Sequence, residues 1–287
     1  MTVTAQCRCC GAADYESLGI LPDGVSFAGS KLDNPIPGGA LFRCRQCELV
    51  FRSPILTVRE YNDLYSLAPA DVWIGSTGAL RTDQRMVKAY IEAKWPQGAR
   101  VLDIGCYTGE FLSNLGTEYT KFGIEKSREA SRRCAESGVM IIGEDLYDCG
   151  SLAERFDIVV AMDVIEHTSQ PDQFLQRAMQ LLAQGGVVII TTGDSDNPVW
   201  RRVGAAFWYC SYPEHISFVS ERYLVLNGRL QGYHVAQLAR FRYADTAAWK
   251  SLLKRALVYG FTALGLQPRG SWSTHISRDH LMAVLRG

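Results

Sequence analysis

Residues 101–111 of the chain read Val101-Leu102-Asp103-Ile104-Gly105-Cys106-Tyr107-Thr108-Gly109-Glu110-Phe111. The first four residues have the mostly apolar character of a short buried strand, and a helix is predicted from Gly109 onward. Between them, Gly105 and Gly109 let the backbone turn tightly and approach a ligand closely. A dinucleotide-binding fingerprint would require a glycine at the position of Tyr107, so this turn is poorly suited to a pyrophosphate.

The same alternation of short strands and polar helices continues along the chain. The predicted strands are Arg100–Gly105, Lys121–Glu125, Val139–Gly143, Phe156–Asp163, Val187–Thr192, His234–Arg242 and His280–Arg286. The predicted helices between them are Gly109–Leu115, Ser127–Ser137 and Pro171–Leu182. This order predicts an α/β fold, a doubly wound and mostly parallel sheet with helices on both faces.

Further helices are predicted outside this core. Thr57–Tyr65 and Thr82–Lys94 precede the first strand, and Thr246–Leu264 lies between the last two strands. The apolar spacing of Thr246–Leu264 favours core packing or a dimer contact, with a membrane-surface helix as the alternative.

An acidic residue ends the second predicted strand. Glu125 lies twenty positions after Gly105, where a carboxylate can accept hydrogen bonds from both hydroxyls of a ribose. A glycine turn and an acidic ribose contact without a pyrophosphate site indicate S-adenosylmethionine as the ligand.

From about Arg100 to Thr192 the chain resembles a class I S-adenosylmethionine-dependent methyltransferase. The stretches that carry the resemblance are VLDIGCYTGEFL, FGIEKS, GEDL, FDIVVAMDVIEHTSQPDQFL and LLAQGGVVIITTGD, in the family's order and spacing. The resemblance implies a Rossmann-like, seven-stranded sheet whose last strand is antiparallel. It also implies cofactor contacts from Asp103, Gly105, Cys106, Gly109, Phe111, Glu125, Lys126, Asp145, Leu146, Asp163 and His167. In this assignment Glu125 binds ribose, Asp145 and Leu146 flank adenine, Asp163 lies at the methionyl side, and Cys106 and His167 pack rather than catalyse.

Five of the nine cysteines lie in the first forty-seven residues. Cys7, Cys10, Cys44 and Cys47 form two Cys-x-x-Cys pairs separated by thirty-three residues. Four thiolates at such spacing are typical of a closed structural zinc site, and the metal would help to fold a small loop-rich module. Ordinary reduced cysteines are the alternative.

The cysteine module and a later stretch together resemble sugar-nucleotide C-methyltransferases. The later stretch is Tyr212-Pro213-Glu214-His215-Ile216-Ser217-Phe218-Val219-Ser220. The resemblance implies His215 as the general base with Tyr212 and Glu214 beside it, and an adjacent carboxylate can orient an imidazole. A structural role for His215 is the alternative.

This chain departs from that group in two ways. Pro213 replaces a histidine of the motif, and only sixty-seven residues follow Ser220. We therefore expect O-methylation of a sugar, a nucleotide sugar or a natural-product intermediate rather than C-methylation. The alternatives are a quinone-like or polyketide acceptor, and a non-catalytic protein that binds the cofactor and uses its zinc module to engage a partner.

Aromatic and basic residues precede the His215 stretch. Trp200, Phe207, Trp208 and Tyr209 are candidates for an aromatic wall against the acceptor. Arg201 and Arg202 are candidates for a phosphate contact, although a solvated helix face is the favoured interpretation.

Composition narrows the class of protein. The chain has 287 residues, 47% apolar and 21% charged, and its thirty Lys+Arg balance thirty Asp+Glu, which argues against nucleic acid as a partner. With no apparent secretion signal or transmembrane segment, we expect a cytoplasmic enzyme, monomer or homodimer, with a small-molecule acceptor. The expected segments are the zinc-binding four-cysteine module (1–56), a helical linker (57–98), the cofactor-binding core (99–196), and the acceptor-pocket insertion with the last strands (197–287).

Overall fold

The computed structural model describes residues 6–66, 80–147, 155–243, 256, 257, 260 and 278–287. The strands are β1 Tyr15–Ile20, β2 Gly24–Phe27, β3 Ser30–Ile36, β4 Ala40–Cys44, β5 Val50–Ser53, β6 Arg100–Ile104, β7 Thr120–Ile124, β8 Met140–Gly143, β9 Phe156–Met162, β10 Leu182–Gly193, β11 Ser217–Phe218, β12 His234–Phe241 and β13 His280–Arg286. The helices are α1 Val58–Ser66, α2 Thr82–Lys94, α3 Glu110–Ser113, α4 Arg128–Glu136, α5 Pro171–Gln180, α6 Pro198–Val203 and α7 Glu221–Gln231. The predicted helix Thr246–Leu264 lies outside the described residues except for 256, 257 and 260.

The central sheet has seven strands in the order β12-β13-β10-β9-β6-β7-β8. Strands β6 to β10 pair in parallel, whereas β13 runs antiparallel to both β10 and β12. The predicted doubly wound sheet with an antiparallel last strand is therefore confirmed. The middle strands are buried on both faces, as their continuous apolar sequences require.

Helices cover both faces of this sheet. On one face α2, α3 and α4 bury Val87, Ile91, Leu112 and Cys134 against the strands. On the other face the cluster contains residues of α5 and α7, and it extends into the N-terminal module through Phe42 and Phe51. No helix in the described part of the chain is both long and apolar enough to cross a membrane.

The N-terminal module is richer in strands than the sequence predicted. Its loop-rich appearance hides a four-stranded sheet in the order β1-β4-β5-β11 and a separate β2-β3 hairpin. The strands were missed because they are short and interrupted by Gly and Pro, which weakens the period-two pattern. The fourth strand, β11, comes from the segment that follows the central fold, where Ser217 pairs with Phe51 and Phe218 with Val50. The module and the segment that contains β11 thus share one sheet.

Candidate active site

A cavity of about 420 Å³ opens at the carboxyl ends of β6, β7 and β9, the place where doubly wound sheets bind their ligands. Twelve of the fourteen predicted cofactor and catalytic residues line it: Asp103, Gly105, Cys106, Phe111, Glu125, Lys126, Asp145, Leu146, Asp163, His167, Tyr212 and His215. The other two, Gly109 and Glu214, are not among its lining residues.

The glycine turn after β6 adopts backbone conformations that side chains disfavour. Gly105 and Gly109 have φ values of +74° and +79°, which glycine adopts without steric strain. A Cβ on Gly105 would lie 2.8 Å from Cγ2 of Val164, and one on Gly109 would lie 2.8 Å from Sγ of Cys134. Gly105 therefore keeps the turn open beside the cavity, whereas Gly109 allows α3 to begin close to α4.

Glu125 is held in position by backbone groups. Its Oε2 accepts a hydrogen bond from the backbone N–H of Tyr107 at 2.9 Å, and its Oε1 accepts one from that of Ser127 at 2.7 Å. Burial raises the pKa of Glu125, while these N–H donors oppose that rise. Each carboxylate oxygen keeps acceptor capacity for a hydroxyl donor from a ligand.

The next stretch of the cavity wall follows β8. Leu146 is buried, and Oδ1 of Asp145 accepts the backbone N–H of Tyr147 at 3.0 Å. Lys126 reaches this wall too, with its Nζ 2.5 Å from Oδ1 of Asn62 and 3.8 Å from Oδ2 of Asp145.

A charged cluster that the sequence did not predict lies beside Asp163. The Nη2 atom of Arg81 donates to Oδ2 of Asp163 at 3.1 Å and to Oδ2 of Asp83 at 2.6 Å. Burial and the neighbouring Asp83 raise the pKa of Asp163 to about 7, although Arg81 acts against this. The Oδ1 atom of Asp163 is buried and has no hydrogen-bond partner among the described residues. Burial also raises the pKa of Asp103, which Glu125 increases further.

His215 lies in a buried polar network at the end of the cavity that Trp208, Tyr209 and Tyr212 line. Its Nδ1 donates to the backbone carbonyl of Tyr209 at 2.9 Å, so its Nε2 keeps the lone pair in the neutral ring. The hydroxyl of Tyr209 donates to Oε1 of Glu166, and Oε2 of Glu166 accepts from the hydroxyl of Thr192 at 2.9 Å. Burial, and then the nearby His167, hold the pKa of His215 well below its ordinary value.

His167 lies beside His215 rather than at the glycine turn. Its ring centroid lies 4.9 Å from that of His215, and its Nδ1 is 2.9 Å from the hydroxyl of Tyr65. Ligand atoms of Glu166, His167 and His215 lie within 4.8 Å of one another. Each of the three side chains has its own hydrogen-bond partners outside the group: Tyr209 and Thr192 for Glu166, Tyr65 for His167, and the carbonyl of Tyr209 for His215.

Glu214 does not orient His215 as the sequence suggested. Its Oε1 accepts the backbone N–H of Ala28 at 3.1 Å, and its side chain is buried. The group that orients His215 is the carbonyl of Tyr209, which cannot be foreseen from residue types because every residue carries a carbonyl.

The aromatic segment before Tyr212 divides into two parts. Trp200 and Phe207 stack with ring centroids 4.7 Å apart inside the core and do not line the cavity. Trp208 and Tyr209 do line it, together with Tyr243. Arg201 is half-exposed and pairs with Asp196 at 3.1 Å. Neither Arg201 nor Arg202 is among the lining residues.

The four cysteines of the two predicted pairs converge. Their Sγ atoms all lie within 4.8 Å of one another. Sγ of Cys7 is 3.5 Å from Sγ of Cys47, and Sγ of Cys10 is 3.5 Å from Sγ of Cys44. The fifth cysteine, Cys9, is turned towards the hydroxyl of Tyr223, 3.5 Å away.

Several lining residues escaped prediction because they come from segments that carry no motif. They are Arg81 and Gln84 from the start of α2, and Ala28 from the turn between β2 and β3. Tyr65 of α1 also lines the cavity, and its ring contacts that of Phe27 with centroids 4.9 Å apart. Ala28 has a φ of +43°, rare for a residue with a Cβ, but nothing in its neighbouring residue types announces that conformation.

Comparison with known proteins identifies the family. Residues 81–238 match the family model described as a methyltransferase domain, which is more than half of the chain. The chain therefore belongs to the methyltransferase domain family. The prediction of a methyltransferase domain is confirmed.

Curated relatives match a shorter part of the chain. The ubiquinone biosynthesis O-methyltransferase of Caulobacter sp. (strain K31) is 36% identical over 106 residues, covering 33% of this chain and 41% of that protein. The protein of the same name from Bradyrhizobium sp. (strain ORS 278) is 37% identical over 106 residues, covering 33% and 40%. The chain thus spans about two fifths of the length of these relatives. The narrower resemblance to sugar methyltransferases is not confirmed by them.

Solved structures give distant matches. Magnesium protoporphyrin IX methyltransferase from Synechocystis, with S-adenosylhomocysteine bound, is 14% identical with a TM-score of 0.48, covering 71% of this chain and 82% of that chain. A methyltransferase from Geobacter sulfurreducens in complex with S-adenosylhomocysteine is 15% identical with a TM-score of 0.44, covering 75% and 94%.

Proposed function

We propose that this protein is an S-adenosylmethionine-dependent O-methyltransferase whose acceptor is a hydroxylated, quinone-like aromatic ring. The observation that carries the proposal is the single continuous cavity lined both by the glycine turn with Glu125 and by the aromatic cluster with His215. Donor and acceptor would meet inside it, and family membership supports the reaction class. The relatives named for ubiquinone biosynthesis support the acceptor class over a sugar.

The donor side fits S-adenosylmethionine, which supplies a methyl group on a positively charged sulfonium sulfur. Glu125 would hold the ribose through the acceptor capacity left on its anchored oxygens. The unpartnered Oδ1 of Asp163 would accept a hydrogen bond from the ammonium of the methionyl group. Leu146 would cover the adenine.

The acceptor side favours an uncharged ring over a nucleotide sugar. Aromatic residues dominate it, namely Tyr65, Trp208, Tyr209, Tyr212 and Tyr243, and they offer flat apolar surfaces to an aromatic ring. The basic lining residues are Arg81 and Lys126, and acidic side chains already contact both. Seven acidic residues line the same cavity, so a negatively charged pyrophosphate would be repelled there.

His215 would take the proton of the acceptor hydroxyl. Its Nδ1–H donates to the carbonyl of Tyr209, which presents the basic Nε2 as the free ring nitrogen. As the acceptor oxygen bonds to the methyl carbon, the bond between that carbon and the sulfonium sulfur would break, its electron pair would stay on the departing S-adenosylhomocysteine, and the O–H proton would move to Nε2. A positioned general base of this kind contributes about 10²- to 10⁴-fold to the rate.

The test measures cofactor binding and turnover separately. Calorimetry should detect one S-adenosylmethionine site per chain, and catechol should release S-adenosylhomocysteine whereas UDP-glucose should not. The His215→Ala variant should lose about 10²- to 10⁴-fold in kcat with catechol and still bind the cofactor. His234→Ala, at an exposed histidine on β12, is the matched control and should behave like the wild type. Turnover of UDP-glucose but not catechol would refute the acceptor class, and absence of cofactor binding would refute the whole proposal.

We also propose that Cys7, Cys10, Cys44 and Cys47 hold a structural zinc ion. Tetrahedral zinc with bonds of about 2.3 Å requires sulfur atoms about 3.8 Å apart, and the observed pairs at 3.5 Å are close to that. With four thiolates the coordination would be complete, so the ion would have no open position for a catalytic water.

A further inference from the structure

Arg52 on β5 is a buried arginine whose side chain binds backbone carbonyls. It is 2% exposed, and burial lowers its pKa. Its Nε donates to the carbonyl of His215 at 3.2 Å, and its Nη2 donates to those of Cys210 at 2.7 Å and Tyr212 at 3.0 Å. Its Nη1 donates to the carbonyl of Gly38 at 3.1 Å. Three of these four acceptors belong to residues 210–216, which we call the acceptor loop.

A second arginine ties the same loop to the cysteine module. Arg8 lies between Cys7 and Cys9, and its guanidinium donates to the carbonyl of Ile216 at 2.7 Å and to that of Arg52 at 2.7 Å. It also donates to the carbonyl of Ser169 at 3.2 Å, two residues after His167. The two arginines therefore connect the module to both backbone segments that carry the clustered imidazoles.

We infer that Arg52, supported by Arg8, is a positioning residue that fixes the imidazole of His215 in the cavity. This inference rests on the proposed function, in which His215 accepts the proton of the acceptor hydroxyl. Because the guanidinium is a planar fork with fixed N–H directions, it sets the relative positions of three carbonyls along the acceptor loop. A lysine at this position would keep the positive charge but not the planar set of N–H donors that binds several carbonyls at once.

The positive charge of Arg52 has a second effect on the same histidine. Arg52 contributes to the lowering of the pKa of His215, after burial and His167, and this keeps the imidazole neutral. The titratable and charged groups that face His215 are His167, Tyr209, Tyr212, Arg52 and His280. The Arg52→Lys variant keeps this positive charge. A change in the pKa of His215 in that variant would therefore show that the imidazole has lost its position.

The experiment compares Arg52→Lys with Arg43→Lys. Arg43 is the matched control because it is also a buried arginine of the same sheet, but it binds Asp196 and the carbonyl of Ser195 instead of the acceptor loop. The chain has five histidines, so NMR of histidine-labelled protein can follow His215, assigned by its absence in His215→Ala. In Arg52→Lys we expect the titration midpoint of His215 to rise towards that of an exposed histidine, and kcat with catechol to fall about 10- to 100-fold. Arg43→Lys should change neither readout.

Cofactor binding separates the possible outcomes. The S-adenosylmethionine Kd of Arg52→Lys should stay within about twofold of the wild type, since Arg52 does not line the cavity. An unchanged His215 titration and kcat in Arg52→Lys would overturn the inference and leave the proposed function standing. Full activity of His215→Ala would instead refute the proposed base. Should Arg52→Lys fail to fold, Arg8→Lys provides the second test, and it should move the His215 titration in the same direction.

Discussion

At the scale of single residues, the environment of each side chain determines its chemistry more than its type. His215 and His167 are neighbours in space, and burial lowers the pKa of both. The reason is that a buried imidazolium loses hydration that the neutral ring does not need. His215 therefore remains a neutral base with a defined tautomer, because the carbonyl of Tyr209 fixes the proton on Nδ1.

This environment predicts an unusual pH dependence of the rate. Because the pKa of His215 in the folded protein lies below the ordinary value of about 6.5, its neutral form persists as the pH falls through that value. With saturating S-adenosylmethionine and catechol, kcat should stay within about twofold between pH 8 and pH 6.5 and decline only at lower pH. A rate that has already fallen about fivefold or more by pH 6.5 would contradict the low pKa of His215.

The residues that could be predicted are those whose role follows from spacing along one strand and its turn. Gly105 and Glu125 were predicted to line the cofactor site because each ends a strand of the same parallel sheet, and the structure places both on the cavity wall. Arg81 and Gln84 could not be found in this way, since tertiary folding brings them to the cavity from the start of a helix that precedes the first strand of the central sheet. The contact between His215 and the backbone carbonyl of Tyr209 could not be predicted from side-chain types, because every residue has such a carbonyl.

At the scale of elements, the strand–turn–helix unit of β6 and α3 shows why the turn needs glycine. Both Gly105 and Gly138 have positive φ, +74° and +88°. A Cβ on Gly105 would lie 2.8 Å from Cγ2 of Val164, whereas one on Gly138 would meet nothing within 4 Å. At both positions a residue with a side chain would be strained by the positive φ, but only at Gly105 would its Cβ also collide with a neighbouring atom.

Alanine substitutions at these two glycines should therefore distinguish the effect of backbone strain from that of the collision between a new Cβ and Val164. Gly138→Ala should lower the free energy of unfolding by about 1–2 kcal/mol and leave the S-adenosylmethionine Kd unchanged. Gly105→Ala should destabilise more, and it should raise that Kd at least about tenfold because the displaced turn closes the donor side. Chemical denaturation and calorimetry measure the two quantities. Equal cofactor affinity in both variants would show that the turn does not form the donor site.

Elements of the central sheet were predictable from local pattern, and those of the module were not. The sequence pattern predicted every strand of the central sheet within a few residues, and the signal was strongest for the middle strands, because buried parallel strands are continuous apolar runs. The two-residue strand β11 exists only because β5 is there to pair with it. Such non-local pairing leaves no local signal in the sequence.

At the scale of the whole molecule, the cysteine module and the methyltransferase domain form one structure. They share the sheet β1-β4-β5-β11 and a buried cluster that contains Cys7, Cys44, Leu102 and Phe174. A change at the cysteines should therefore shift the acceptor loop, because β5, β11, Arg8 and Arg52 connect the loop to the module. Among the described residues, the donor side, built by β6, β7 and β8, meets the module only through apolar packing in this cluster, and the side-chain hydrogen bonds described for Arg8 and Arg52 do not reach it.

Removal of the metal should accordingly affect the two sides of the cavity unequally. Metal analysis should find one zinc per chain. Treatment with a chelator should lower the Tm and abolish turnover of catechol, because the four thiols lose the ion that folds their module, while S-adenosylmethionine still binds. Cys44→Ser should reproduce this loss or yield insoluble protein, whereas the control Cys9→Ser should keep its zinc, since Cys9 lies outside the group of four. A soluble, metal-free Cys44→Ser protein with wild-type activity would refute the zinc site and its link to the acceptor loop.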